Sequence, residues 1–368
     1  MDSLKIALVH DHLAQDGGAE KVLKVFQELF PKAPTFVLVY NKKNANPFFE
    51  NQDIRTSFLQ KMPFGVRKYQ WYLPVMPHAV ESYDLSSFDL VLSSSSMFAK
   101  GVITRPGTLH VCYCHTPTRF LWSDTHHYIR ELNYPGWFKK FIPFVLNRIR
   151  LWDHGSVDRV DHYIANSKTI QKRIKKYYGC PSHVIYPPVE TGLFQVASKI
   201  EDYFLAGSRL VSYKRFDLIV QAFNKIGIKL KIFGTGPEFG VLRKQARSNI
   251  EFLGKVSDQE KAELYSKALA YLHPQEEDFG ISAVEAMASG RPVIAYAKGG
   301  ALETISPGVT GELFYDQCWE EIADYAVRFR PEKYDPFKIR AHALQYSVEE
   351  FKRQLLFYIR SRWDKFNR

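Results

Sequence analysis

The chain has 368 residues, 45% apolar and 24% charged, with a formal net charge of +11 at pH 7. Length and composition suit a soluble globular protein of two ordinary domains and exclude disordered and fibrous classes. No apolar run approaches the ~18 residues of a membrane-spanning helix, and Met1 to Val9, followed by His10-Asp11-His12, does not read as a signal peptide. The positive charge fits an anionic substrate or an anionic membrane. It is spread widely and carries no nucleic-acid-binding signature, so no nucleic-acid partner is expected. Cys112, Cys114, Cys180 and Cys318 form no disulfide framework and suit a reducing cytosol. Cys112-x-Cys114-His115 lacks a second ligand pair, so buried strand cysteines are expected and no metal site.

Lys5 to His10 reads as a buried first strand. A loop with Gly17-Gly18 follows, and Val22, Leu23, Val25 and Phe26 then recur with helical spacing. This opens a Rossmann-like half, though the G-x-G-x-x-G dinucleotide fingerprint is absent. Thr35–Tyr40, Leu90–Leu92, Val111–Cys114 and His162–Asn166 are further strands, and Ser167 is placed to cap the next helix. His183–Tyr186 leads into Pro187-Pro188, where regular structure stops and a domain hinge is expected.

The alternation then repeats. Tyr203–Gly207, Lys229–Phe233 and Ile250–Gly254 are strands, with a helix beginning at Arg215 and another capped by Ser257. Ala268–Leu272 and Val293–Tyr296 are strands on either side of an acidic loop and a helix. The last segment, from Ser347, is an amphipathic helix with Phe351, Leu355, Tyr358, Ile359 and Trp363 near one face. The expected class is therefore α/β, with two parallel sheets. Expected domains are 1–188 and 189–346, with a helix over 347–368 that packs back on the first domain.

The acidic loop and its helix, His273 to Gly290, carry Glu277 and Glu285 with seven residues between them. A helix starting after Gly280 presents free N–H groups and a positive dipole end, which favours phosphate. The same residues allow a plainer reading, because Ser282-x-x-Glu285 is also the pattern of a capping box. The full string, continuing through Gly290-Arg291-Pro292 and Gly299-Gly300 to Gly311, resembles the Glu-x7-Glu motif of the retaining glycosyltransferases of family 4, which have the GT-B fold. The resemblance covers nearly the whole chain, most strongly Ala206 to Gly311 and least Asn44 to Ser86.

That resemblance implies roles. Arg209 and Lys214 match a cationic pair that stabilises the departing diphosphate without a metal or other cofactor. Glu277 matches a residue beside the transferred sugar, and Glu285 one that accepts the ribose hydroxyls. Backbone amides of Phe279, Gly280 and Ile281 fall near sugar and phosphate, Phe252 and Leu253 near the base, and Gly234 and Gly236 at a close backbone approach. In the first half, Gly17 and Gly18 match a loop at the diphosphate and acceptor, and His115 a histidine at the donor sugar. Asp11 and Asp124 are both open as acceptor contacts. Thr116 to Tyr128, with Arg119, Trp122, His126 and His127, suits either sugar stacking or packing.

Tyr113-Cys114-His115-Thr116-Pro117 and Tyr186-Pro187-Pro188-Val189 are similar to a subgroup of bacterial polysaccharide mannosyltransferases. The implied donor is GDP-mannose, with UDP-sugars open, and the implied acceptor is a lipid-linked or growing oligosaccharide at the cytoplasmic face of the membrane. Alternatives are a non-catalytic nucleotide-sugar-binding protein on the same scaffold, or a phosphorylase or epimerase. Tyr134 to Trp152 mixes aromatic residues with Lys139, Lys140, Arg148 and Arg150, the composition of a helix lying on an anionic membrane or of one buried between domains.

Overall fold

The computed structural model describes residues 4–132 and 134–367. Contacts divide the chain into two compact units, one of Met1–Tyr186 with Lys352–Arg368 and one of Pro187–Phe351. The break therefore falls at the proline pair, and the last helix is shared between the units.

The N-terminal unit holds seven strands: β1 (Ile6–His10), β2 (Thr35–Val37), β3 (Ile54–Thr56), β4 (Leu90–Ser95), β5 (Leu109–Cys114), β6 (His162–Ala165) and β7 (Ser182–Val184). Their order is β3-β2-β1-β4-β5-β6-β7, and every pairing is parallel. β1, β4 and β5 are buried along their whole length, as expected of strands covered by helices on both faces. The helix Gly18–Leu29 buries Val22, Leu23, Val25 and Phe26, the residues whose spacing predicts it. The closing helix Val348–Phe366 buries Phe351, Leu355, Tyr358 and Ile359. From Lys352 onward it packs on the N-terminal unit: Tyr358 stacks on His183 at 5.0 Å, and Lys352 pairs with Glu28 at 2.7 Å.

The C-terminal unit holds β8 (Phe204–Gly207), β9 (Leu230–Phe233), β10 (Ile250–Gly254), β11 (Tyr271–His273), β12 (Val293–Tyr296) and β13 (Gly311–Phe314). They are also all parallel, ordered β10-β9-β8-β11-β12-β13. β11 starts later than the apolar run suggests, because the Ala268 amide bonds back to Tyr265 and closes the preceding helix.

Both sheets thus reverse direction of growth once, between β1 and β4 and between β8 and β11. In parallel α/β sheets ligand crevices open outside the carboxyl ends of the strands at such points.

The N-terminal unit also hides a charge that sequence patterning does not reveal. Lys100, 1% exposed, reaches Asp153 Oδ1 at 3.2 Å, the Asp153 carbonyl at 2.6 Å and Ser156 Oγ at 2.5 Å. This satisfies the ammonium and ties the turn after β4 to the helix Ile142–Gly155.

Candidate active site

In the C-terminal unit, the carboxyl ends of β8 and β11 lead into two loops. The first carries Arg209, exposed, and Lys214, in the short turn Ser212–Lys214. The second carries Glu277, whose carboxylate forms a close ion pair with Lys214. Gln275 donates to Glu277 Oε1 at 3.2 Å, and His273 Nε2 lies 4.0 Å from Oε2. Burial pushes the His273 ring down to about 3, so it stays neutral. The Glu277 carbonyl accepts from the Gly300 amide at 2.7 Å, which pins the acidic loop to the segment after β12. Thus Lys214 and Glu277 meet in one cluster, and Gln275 and His273 join them. No sequence signal set these two apart from buried strand-end residues.

The helix Ile281–Ala288 starts at Gly280, whose φ of +89° is open mainly to glycine. Glu285 is its fifth residue, in the second turn rather than the first. A capping box over Ser282 and Glu285 is therefore ruled out. The Glu285 side chain, 7% exposed, pairs with Lys261 Nζ at 3.1 Å, and Asp258 holds the same ammonium at 3.2 Å. Burial alone would lower the Lys261 pKa, but the charges and hydrogen bonds of Glu285 and Asp258 together outweigh it and raise it. Lys261 stands in a helix rich in Glu and Lys, where it reads as a solvated cation.

Gly234 and Gly236 serve the fold in a way the sequence does not specify. A Cβ on Gly234 would lie 1.9 Å from the Ser208 carbonyl oxygen, and one on Gly236 2.2 Å from that of Leu210. Their close approach is to the Arg209 loop itself, which the Leu210 amide joins by a 2.9 Å bond to the Thr235 carbonyl. Phe252 packs edge-on against Phe239, and Leu253 lines a cavity of about 270 Å³ with Tyr203, Lys231 and Lys255. Phe279 is buried against Tyr346.

In the N-terminal unit the switch point is built differently. Asp11 is buried, and its two carboxylate oxygens accept four backbone amides, from Ser96, Met97, Phe98 and Ala99, at 2.6–2.9 Å. It is a fixed cap on the turn after β4, which removes it as an acceptor contact. Asp124 is exposed at the start of a short helix. Gly17 and Gly18 open the helix Gly18–Leu29, and the Gly17 amide donates to Glu20 at 2.9 Å. Glu20 is 2% exposed and faces His10 Nε2 at 3.8 Å. Burial would raise its pKa, but the His10 ring, a backbone amide and His12 together outweigh burial and bring it to about 2. His115, at the end of β5, contacts Ser94 Oγ through Nε2 at 2.8 Å, and burial lowers its pKa to about 4. His12 is buried beside Tyr69, whose hydroxyl lies 3.3 Å from Nε2.

Trp122 packs rather than offering a sugar platform: it stacks on Tyr177 and donates to Asp153 at 2.7 Å. His126 and His127 are exposed. Across 134–152, Tyr134, Trp137, Phe138, Phe141, Phe144 and Leu151 are exposed, as are Lys140 and Arg148. Arg150 instead turns inward to the Leu121 carbonyl at 2.5 Å and Thr125 at 3.3 Å. No helix among the described residues is long and apolar enough to cross a membrane. Among those residues no group of three or more His, Cys, Asp and Glu is arranged to hold a metal ion.

The family model described as Glycosyltransferase Family 4 matches residues 16–193, and the one described as Glycosyl transferases group 1 matches 194–332. The O-antigen chain mannosyltransferase RfbU of Salmonella typhimurium is 31% identical over 200 residues, 50% of this chain and 55% of that protein. The GDP-mannose-dependent alpha-mannosyltransferase of Corynebacterium glutamicum is 35% identical over 106 residues, 28% of this chain and 25% of its own length. The chain spans about half the length, or less, of these curated relatives. The crystal structure of Anabaena Alr3699/HepE in complex with UDP matches with a TM-score of 0.71 at 18% identity, over 97% of this chain and 100% of that one, a likeness of fold.

Proposed function

The chain belongs to glycosyltransferase family 4, and from that premise we propose that it is a retaining, metal-independent mannosyltransferase of the cytoplasmic membrane face. It moves mannose from GDP-mannose to a hydroxyl of a lipid-linked or oligosaccharide acceptor in surface polysaccharide synthesis. The observation that carries this reading is the C-terminal switch point. There an exposed arginine, a lysine in a close ion pair and the open amino end of a helix stand on adjoining strand-end loops.

Breaking the anomeric bond leaves negative charge on the terminal phosphate of the nucleotide. Arg209 offers it a planar fork and Lys214 a point charge. The amides at the start of Ile281–Ala288 add aligned dipoles that need no reorganisation as charge develops. Glu285, held by Lys261, is a fixed carboxylate for the two ribose hydroxyls. Glu277 lies beside the sugar and shares Lys214 with the leaving group. The resemblance matches His115 to a histidine at the donor sugar. The mannosyl and GDP assignments lean on the named activities of the two relatives. Membrane contact leans on exposed Trp137, Phe141 and Phe144 beside Lys140 and Arg148, apolar groups for the headgroup region with cations for anionic lipid.

The test is turnover with GDP-mannose and with UDP-sugars, with and without chelator, on a lipid-linked oligosaccharide. Chelator-insensitive transfer from GDP-mannose with retained anomeric configuration is expected. Turnover of UDP-sugars alone, dependence on a divalent cation, or inverted product would each overturn the corresponding part.

A further inference from the structure

Four side chains of the N-terminal unit form a continuous polar chain at its switch point. Glu20 stands in the first turn of Gly18–Leu29, His10 ends β1, Ser94 lies in β4 and His115 follows β5. His10 and Ser94 are register partners across the β1–β4 pair, so the sheet itself sets their approach. His10, Glu20 and Ser94 are each no more than 2% exposed. His10 Nδ1 lies 3.2 Å from the Ser94 carbonyl oxygen and 3.1 Å from Ser94 Oγ. Ser94 Oγ lies 2.8 Å from His115 Nε2.

The hydrogens along this chain follow from one group that has no choice. A carbonyl oxygen only accepts. His10 Nδ1, facing the Ser94 carbonyl, therefore carries a hydrogen and donates it there and toward Oγ. Ser94 Oγ then has its own hydrogen to give, and His115 Nε2 is the partner in reach. His115 accepts at Nε2, and a neutral imidazole that accepts at one nitrogen carries its hydrogen on the other. Among the described residues no protein group is hydrogen bonded to His115 Nδ1. Glu20, fixed by the Gly17 amide at 2.9 Å, faces the far nitrogen of His10 at 3.8 Å.

We propose that His10 and Ser94 are positioning residues that hold His115 in the tautomer with its hydrogen on Nδ1, offered as a donor to an oxygen of the transferred sugar. The sugar contact rests on the placing of His115 at the donor under the proposed function; the tautomer does not. Alanine at 94 removes the hydroxyl and leaves the backbone carbonyl that His10 engages. His115 then loses its enforced acceptor role, and the imidazole reverts to the Nε2–H form that is favoured in water.

The experiment is long-range proton–nitrogen NMR of the ¹⁵N-histidine-labelled full chain without ligand, with His115 assigned by loss of its signals in His115→Gln. Wild type is expected to show a protonated Nδ1 and a bare Nε2 at His115, and Ser94→Ala to reverse them. A hydrogen on Nε2 in the wild type overturns the proposal even if the variant does not fold. An unchanged tautomer in folded Ser94→Ala overturns the part played by Ser94. In turnover, Ser94→Ala lowers kcat about tenfold with little change in donor KM, and Ser94→Thr, which keeps the hydroxyl, restores it. An unaltered kcat in Ser94→Ala overturns the sugar contact. Absence of turnover in the wild type with every nucleotide sugar instead sinks the transferase reading and leaves the NMR result standing.

Discussion

The two units share a strand order and place polar residues at the same topological point, yet they use charge in opposite ways. At the β1–β4 point Asp11 and Glu20 are almost wholly buried; four backbone amides satisfy Asp11, and the Gly17 amide and the His10 ring face Glu20. At the β8–β11 point Arg209 is exposed, and Lys214 and Glu277 keep 13% and 19% of their side-chain surface. A buried carboxylate ringed by amides is spent on architecture, because moving it would strand several donors away from water. An ion pair that keeps some solvent contact can exchange one partner for a ligand of like charge. Topology therefore says where a site lies, and burial says which charges there are available for chemistry.

The largest effect should come from the architectural side. Asp11→Ala leaves four amides without their acceptor, at roughly 1–3 kcal/mol for each one that stays buried. The loss of stability, read from denaturant melts, should be on the order of 4 kcal/mol or more. A loss below about 1 kcal/mol would erase the contrast between the units.

The chemical side should show the reverse pattern. Arg209→Ala and Lys214→Ala should each lower kcat about a hundredfold, the scale for removing one preorganised contact to developing charge. In stability, Arg209→Ala should stay within about 0.5 kcal/mol of wild type, as for an exposed side chain, and Lys214→Ala should lose more because the Glu277 carboxylate is left without its cation. Near-normal kcat in either variant would break the assignment.

pH sharpens the comparison. The folded pKa of Glu20, about 2, lies below its usual 4.5. As pH falls, the unfolded chain takes up the proton first, so Glu20 contributes fully above the usual value and its contribution is lost as pH falls toward 2. At roughly 1.4 kcal/mol per unit, the contribution is on the order of 3 kcal/mol. The stability gap between wild type and Glu20→Gln should narrow across that window. A gap that does not change with pH would show that the His10 contact is not the cause.

Within the C-terminal unit the two glutamates should separate. Glu285→Gln should weaken GDP binding about tenfold by calorimetry, since charged hydrogen bonds to ribose are lost and Lys261 is left poorly paired. Glu277→Gln should leave GDP affinity near wild type and lower transfer. Equal loss of GDP affinity in both would refute the division.

The smallest effects belong to the aromatic surface of the N-terminal unit. Each cation near an anionic bilayer contributes about 1 kcal/mol, and salt screens it. Replacing Lys139, Lys140 and Arg148 by Ser should abolish flotation with anionic liposomes at low salt while a short soluble acceptor is still turned over. Arg150 is left out because its guanidinium holds Leu121 and Thr125. Unchanged flotation would remove the membrane from the proposal.

Much of this was legible in the sequence. Strand–helix alternation follows from the periods of apolar residues, and local capping from single residues such as Ser167 and Ser257, whose side chains accept the helix amides as expected. Glu277, Glu285, Arg209 and Lys214 stood out because they lie within ordered, long motifs. What stayed hidden depends on partners far apart in the chain. Asp11 meets amides 85–88 residues away, His10 meets Ser94 84 away, and Lys100 meets Asp153 through contacts 53 residues off. Lys261 is ordinary until Glu285 comes beside it from another helix. The sequence by itself determined the element types, the two-sheet class and the family, because these rest on local period and on motif. Only the tertiary structure decided which charges are buried caps and which keep some exposure, because desolvation and pairing are properties of the assembled neighbourhood rather than of any stretch of chain.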